Sequence, residues 1–230
     1  MSVTEALLAP HLANPGAPLV THYDDATGSR VELSVATLVN WAAKTANWLR
    51  DEHDVEPGDP VAVLMPAHWQ TAGVLLGAWW CGAAVTARSE GAAVAVVAPG
   101  VEAPGAGVVA TASLHPMGLG GGYPVDYLDD VRLFGDHFSP YGKVPGDTPA
   151  LGTSTVDELV AEAAHRAGVL GVTSSSRVLS TVDWDFPDGL LTGFLAVLAG
   201  GGSLVHVSNP DPARLAARRA SEHTTLDLVG

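Results

Sequence analysis

The sequence is poor in positive charge. Eleven lysine and arginine residues stand against 25 aspartate and glutamate residues, which gives the 230-residue chain a formal net charge of −14 at pH 7. A negative field of this size repels phosphate groups, so we expect no binding to nucleic acids and none to membrane surfaces. The same charge helps to keep a chain with 47% hydrophobic residues in solution.

Cysteine is almost absent. A single Cys81 excludes an intrachain disulfide and is typical of proteins of the reducing cytoplasm. Its neighbours are apolar, so we expect a buried, unreactive thiol. Residues 1–5 lack the basic start and apolar run of a secretory signal peptide, which also favours a cytoplasmic location.

Long hydrophobic runs are missing as well. The uncharged stretches 71–87 and 189–205 fall short of the roughly 20 residues that a membrane-spanning helix needs, and glycines interrupt both. We interpret them as buried elements of a globular fold.

Strand and helix patterns alternate along the chain. Residues 19–23 and 30–33 flank a polar turn and predict a hairpin. Further apolar strands are predicted at 61–65, 92–98, 178–182 and 203–207, with helices at 34–54, 68–82, 156–167, 189–199 and 211–222. This alternation predicts an α/β fold, a single domain over 1–230 whose central, mostly parallel sheet is flanked by helices. Within it, residues 113–150 form an irregular excursion rich in glycine and proline.

Two helix starts carry capping signals. Thr155 and Glu158 have the spacing of a capping box. The last helix is preceded by Asn209 and Asp211, either of which can cap it.

Two stretches resemble the adenylate-forming (AMP-binding, acyl-CoA synthetase-like) enzymes. The first contains the turn Val55-Glu56-Pro57-Gly58-Asp59, a buried strand that ends at Pro66, and a helix that runs into Gly82-Ala83. The second is residues 177–230, which is similar to the segment after the phosphate loop of that family. The resemblance implies the fold of an N-terminal subdomain of these enzymes.

The phosphate loop of that family has no clear counterpart. The resemblance places it between about residues 147 and 165, where only Thr153-Ser154-Thr155 remains of a Ser/Thr/Gly-rich run that should end in Pro-Lys-Gly. Asp157 and Glu158 would repel a triphosphate. The resemblance also places the adenine, ribose and magnesium contacts and the mobile C-terminal lid beyond Gly230. We therefore expect no catalytic residue, no cofactor and no acyl-adenylate formation by this chain alone.

Residues 183–188 contain the best candidate ligand-binding residues. They leave a predicted strand at its carboxyl end, where open α/β sheets bind ligands, and the matching loop of the family lines the acyl pocket. Three carboxylates near two aromatic rings could hold a polar ligand or a divalent ion, although the same loop could serve only to begin the next helix. These residues are Asp183, Trp184, Asp185, Phe186 and Asp188.

The histidines give no comparable signal. His206 lies in a predicted strand, where a lone histidine is expected to be a hydrogen-bonded core or edge residue. The remaining histidines show no metal-ligand spacing, so we assign no metal site; among them are His22, His68, His115 and His137.

Three functions remain open from the sequence. The first is a noncatalytic relative, or pseudoenzyme, that binds a small molecule or a protein partner. The second is one subunit of a split adenylate-forming ligase that a separate chain completes in trans. The third is a structural interaction module. The oligomeric state is not indicated by any pattern.

Overall fold

The computed structural model describes residues 1–229, and contacts within the chain divide these into two compact units. The first unit contains residues 1–6, 37–66 and 70–159. The second contains residues 7–36, 67–69 and 160 to the end of the described chain. Gly230, with which the predicted domain ends, lies outside the described residues, and the assignment to a single domain stays a prediction.

The secondary structure alternates between strands and helices. The strands in chain order are β1 (Pro18–Asp24), β2 (Ser29–Ser34), β3 (Pro60–Leu64), β4 (Ala84–Thr86), β5 (Val94–Val97), β6 (Val108–Thr111), β7 (Pro149–Leu151), β8 (Ser154–Thr155), β9 (Arg177–Ser180), β10 (Ser203–Ser208) and β11 (Leu226–Leu228). The helices are α1 (Val3–Leu8), α2 (Val35–His53), α3 (Trp69–Cys81), α4 (Tyr127–Val131), α5 (Val156–Leu170), α6 (Asp188–Leu190), α7 (Ala196–Ala199) and α8 (Pro212–Glu222). A short 3₁₀ turn follows α1, and the π-helical segment Leu191–Leu195 joins α6 to α7.

The sheet of the first unit has the strand order β6-β5-β3-β4-β7-β8. All neighbouring strands are parallel except β7 and β8, which form a hairpin. The central strands are short and apolar because both of their faces are covered, as is usual in parallel sheets. In the core cluster of this unit, small side chains pack on β3 and β5, among them Ala62 and Ala95.

The sheet of the second unit has the strand order β11-β9-β10-β1-β2. The first four strands are parallel, and β1 and β2 form the antiparallel hairpin that the sequence predicts. Segments that contain α6, α7 and α8 connect the parallel strands β9, β10 and β11 in the manner of βαβ units.

The α/β fold class is confirmed, but the prediction of one central sheet was wrong. The strands predicted at 61–65 and 92–98 lie in one sheet, and those at 178–182 and 203–207 lie in the other. Alternating strands and helices predict parallel pairing, but they do not specify which strands become neighbours. The N-terminal strand β1, far away in sequence, pairs with β10 and so completes a separate sheet.

The excursion at 113–150 contains local order around a buried carboxylate. The Asp126 side chain accepts hydrogen bonds from the backbone N–H groups of Leu128 at 3.1 Å and Asp129 at 3.4 Å, which caps α4. Its other oxygen accepts from the N–H groups of Gly121 at 2.6 Å and Gly122 at 2.9 Å. The glycine-rich stretch is thus tied to the start of a five-residue helix.

The described helices are all too short or too polar to cross a membrane. Cys81, at the end of α3, is buried as predicted, and its thiol donates to the carbonyl oxygen of Ala78 at 3.2 Å.

Candidate functional site

In the second unit, polar side chains line up near the carboxyl ends of the parallel strands. The strand register places Ser180, His206 and His22 side by side on β9, β10 and β1. Val205, adjacent to His206, packs against Leu215 of α8 on the other face of the sheet. The polar row therefore lies on the face opposite α8, at the edge where open α/β sheets bind ligands.

Three histidines form a buried cluster at this edge, which we call the histidine cluster: His22, His68 and His206. Their exposed fractions are 3%, 7% and 2%. The ring of His22 lies parallel to that of His206, with centroids 5.8 Å apart, and meets His68 edge-on at 4.5 Å. No pattern in the sequence relates these three residues, and the structure brings them together.

A chain of hydrogen bonds determines the tautomer of His22. The hydroxyl of Ser208 donates to the carbonyl oxygen of Ala67 at 3.1 Å, so its oxygen is available to accept from the Nε2–H group of His22 at 2.9 Å. The Nδ1 atom of His22 is then an acceptor. It is buried and has no hydrogen-bond partner among residues 1–229.

Burial lowers the pKa of all three imidazoles. The pKa of His22 falls to about 4, although the charge of Asp24 opposes the shift. The pKa of His206 falls to about 3 through burial and repulsion from His22. Burial and repulsion from the other two rings lower the pKa of His68 to about 2. The cluster is therefore neutral at pH 7 and can donate or accept hydrogen bonds without carrying charge.

His206 is a core residue, as predicted, but the prediction that it is hydrogen-bonded was wrong. Both of its ring nitrogens are buried without a hydrogen-bond partner in the described part of the chain. The same is true of the indole Nε1 atom of Trp184, whose ring lies 5.7 Å from that of His206. Buried polar atoms without partners are rare, and such atoms often mark a functional site.

The loop at 183–188 divides its side chains between the interior and solvent. Trp184 is buried and stacks on Phe194 with ring centroids 4.5 Å apart. Asp183 and Asp185 are exposed, and Phe186 is half-buried.

Asp188 begins α6, which agrees with the alternative prediction that this loop serves to begin the next helix. Its exposed carboxylate accepts from Arg166 of α5 at 3.2 Å. The assignment of Asp183, Trp184, Asp185, Phe186 and Asp188 as ligand-binding residues stays a prediction.

The position of Trp184 depends on Gly193 in the π-helical segment. A Cβ atom at Gly193 would lie 3.1 Å from Cδ1 and 3.2 Å from Nε1 of Trp184. Contacts this short are rarely tolerated, so glycine allows the indole to pack directly against the helix backbone. Interruptions of α-helices by π-helical turns are frequent at functional sites.

Within residues 1–229, no group of histidine, cysteine, aspartate or glutamate side chains has the arrangement of a metal site. The parallel rings of His22 and His206 face each other and do not point toward a common centre.

In the first unit, the segment at which the resemblance places the phosphate loop forms a hairpin and a helix cap. Thr155 donates its backbone N–H to Glu158 Oε2 at 2.9 Å, and the backbone N–H of Glu158 donates to Thr155 Oγ1 at 3.3 Å, which confirms the predicted capping box. The backbone N–H of Asp157 donates to the carbonyl oxygen of Gly146 at 2.9 Å. These N–H groups are used within the protein.

Sequence comparison finds a relative that aligns with nearly the whole chain. A "TIGR03089 family protein" of Mycobacterium tuberculosis is 47% identical over 241 aligned residues, which cover 99% of this chain and 98% of the relative. The chain belongs to the TIGR03089 family. No model of a protein family matches the sequence.

The fold of this TIGR03089-family protein is that of the N-terminal region of acyl-CoA synthetases. An acyl-CoA synthetase of Brucella canis matches 100% of the chain with a TM-score of 0.80 and 17% identity. The N-terminal domain of FACL13 from M. tuberculosis matches 99% with a TM-score of 0.78 and 15% identity. A benzoate CoA ligase from Burkholderia xenovorans matches 99% with a TM-score of 0.77 and 16% identity.

The chain spans only part of these solved structures, namely 47%, 62% and 50% of their lengths. The resemblance to adenylate-forming enzymes is thus confirmed at the level of the fold.

Proposed function

We propose that this TIGR03089-family protein is a noncatalytic acyl-CoA synthetase-like protein that binds a small molecule at the carboxyl edge of the second unit's sheet. The observation that carries the proposal is the local structure of residues 149–159. There, a hairpin and a capped helix occupy the position at which the resemblance places the phosphate loop.

The chemistry of this segment supports a noncatalytic role. A phosphate loop needs flexible glycines whose free N–H groups close on the phosphates, together with a lysine that neutralises charge. Here the N–H groups of Thr155, Asp157 and Glu158 are bonded within the protein, and the side chains of the latter two add negative charge. Bringing a triphosphate to this segment would require these bonds to break.

The carboxyl edge of the second unit supports the binding role. The imidazoles of His22 and His206 and the indole of Trp184 supply buried polar atoms without partners in the described chain. The exposed carboxylates of Asp183 and Asp185 flank Trp184 in the sequence. Ligand sites combine apolar and aromatic contacts with a few such polar groups. The carboxylates favour a neutral or cationic ligand over a nucleotide.

Soaking a fragment library into crystals tests the binding role. We expect fragments to cluster against Phe186 and the edge of Trp184, and solution binding of the best fragment to weaken in the double variant Asp183→Asn/Asp185→Asn. An exposed carboxylate in the first unit provides the matched control, Asp136→Asn, which should bind as the parent does. If fragments cluster elsewhere and this loop stays closed around Trp184, the loop is only scaffold.

A further inference from the structure

A separate cavity of about 240 Å³ lies within the first unit. The C-terminal end of α2, the turn that follows it, the end of α3 and the segment 138–144 form its walls. Its volume is somewhat below the usual range for drug-sized ligands, so it suits a small molecule.

Two aromatic rings and one arginine form a stack at this cavity. The guanidinium of Arg50 lies 4.6 Å from the ring centroid of Phe138 and 4.4 Å from that of Tyr141. Phe138 is buried beside Trp80, whereas Tyr141 is 89% exposed. Arg50 therefore holds a largely exposed aromatic ring at the cavity, with one face of that ring turned away from the stack.

Arg50 has little capacity left to bind an anion. Its Nε and Nη2 atoms donate to the two carboxylate oxygens of Asp51 at 2.6 and 3.1 Å, and Nη2 also donates to Asn47 Oδ1 at 3.1 Å. Its Nη1 atom donates to the carbonyl oxygen of Ser139 at 2.8 Å. Four of the five N–H groups are thus used, and Asp51 neutralises the charge.

The other charged residues that line the cavity are acidic. Asp54 and Glu56 are exposed lining residues, and neither forms an ion pair with any residue in the range 1–229. Cys81 contributes an apolar wall, because burial raises the pKa of its thiol to about 12 and keeps it neutral. Two free carboxylates beside apolar and aromatic surface are complementary to a cation with an apolar body.

We propose that this cavity binds a small organic amine, with the ammonium group beside Asp54 and Glu56 and the apolar body against Tyr141. The inference does not depend on the proposed function, because the cavity belongs to the other unit and involves none of the residues at 183–188.

Three matched probes of similar size test the proposal by titration, monitored through backbone amide chemical shifts: phenethylamine, phenethyl alcohol and hydrocinnamate. We expect the amine to bind about threefold more tightly than the neutral alcohol and about tenfold more tightly than the anion. The shifted amides should lie within 50–57, 81–82 and 138–144. Equal binding of the amine and the anion, shifts centred elsewhere, or no saturable binding of the amine at millimolar concentrations would each overturn the proposal.

Variants separate the two parts of the site. Glu56→Gln and Tyr141→Ala should each weaken phenethylamine binding about threefold, and Glu56→Gln should leave the alcohol unchanged. Leu133→Ala, at another highly exposed position in the same unit, is the control and should bind all three probes as the parent does. Since Glu56 and Tyr141 are exposed, the variants should fold, which the amide spectrum verifies. Unchanged amine binding in both variants would also overturn the proposal.

Discussion

Buried histidines contribute to the response of this protein to acid. The three rings of the histidine cluster are neutral in the folded protein, because burial and mutual repulsion lower their pKa values from 6.5 to about 4, 2 and 3 for His22, His68 and His206. The unfolded chain therefore binds more protons below pH 6.5 than the folded chain does. The stability that these rings contribute is fully present above that pH and is lost as the pH falls toward their folded pKa values of about 4, 3 and 2.

Replacing one ring should flatten this dependence. We expect the free energy of unfolding of the parent to fall between pH 6.5 and 4 by up to about 1.4 kcal/mol per pH unit for each of the three histidines. His206→Leu removes one of these histidines together with two unpartnered buried nitrogens. The slope of its free energy of unfolding against pH should therefore be smaller by the contribution of about one proton. Urea unfolding at a series of pH values measures both curves.

An exposed histidine provides the control for this experiment. His165→Gln, on the solvent side of α5, should keep the pH dependence of the parent. If His206→Leu and His165→Gln give the same curve as the parent, the imidazole of His206 does not remain neutral in the folded state.

At the level of secondary structure, local signals in the sequence predicted much of the fold. The hairpin β1–β2 and the capping box before α5 follow from turn and capping residues that are neighbours in the chain. Asp211, one of two predicted caps, accepts from the backbone N–H of Ala213 at 2.9 Å and begins α8. Sheet membership was not predictable, because it depends on pairings such as β1 with β10 that join distant segments.

The same limit explains why the histidine cluster was missed. His22 and His206 each lie in an apolar strand, and each alone is typical of a core residue. They become neighbours only because β1 pairs with β10 in a register that places His22 beside His206. His68 joins them from a third segment. The loop at 183–188 was found because a single stretch of sequence contains all five of its candidate residues.

The packing of α2 against α3 depends on a glycine. A Cβ atom at Gly77 would lie 2.4 Å from the Cβ atom of Thr45 and 2.9 Å from the carbonyl oxygen of Ala42. We expect Gly77→Ala to lower the free energy of unfolding by about 1–3 kcal/mol, because the two helices must move apart. Denaturant unfolding measures this change.

Gly168 in α5 is the matched control, since a Cβ atom there meets nothing within 4 Å. Gly168→Ala should stabilise the protein by about 0.5–1 kcal/mol through helix propensity alone. Equal effects of the two substitutions would show that the close approach at Gly77 does not limit the packing.

At the scale of the whole molecule, the fold resembles that of acyl-CoA synthetases, whereas the local structure at 149–159 does not favour phosphate binding. The chain has the fold of the N-terminal region of acyl-CoA synthetases, and it belongs to a family with a relative of nearly the same length. Yet the segment at 149–159 forms a hairpin and a helix start, in which the N–H groups of Thr155, Asp157 and Glu158 are bonded within the protein. We therefore propose that this protein shares the fold of these enzymes but not their adenylation reaction.

The exchange of labelled pyrophosphate into ATP tests this separation most directly. The purified chain is assayed with a broad panel of carboxylic acids beside an active acyl-CoA synthetase as the positive control. We expect no exchange above the enzyme-free background, because residues 149–159 contain no lysine to hold the phosphates and the N–H groups of Thr155, Asp157 and Glu158 are bonded within the protein. Robust exchange that the substitution Thr155→Ala abolishes would contradict the noncatalytic assignment.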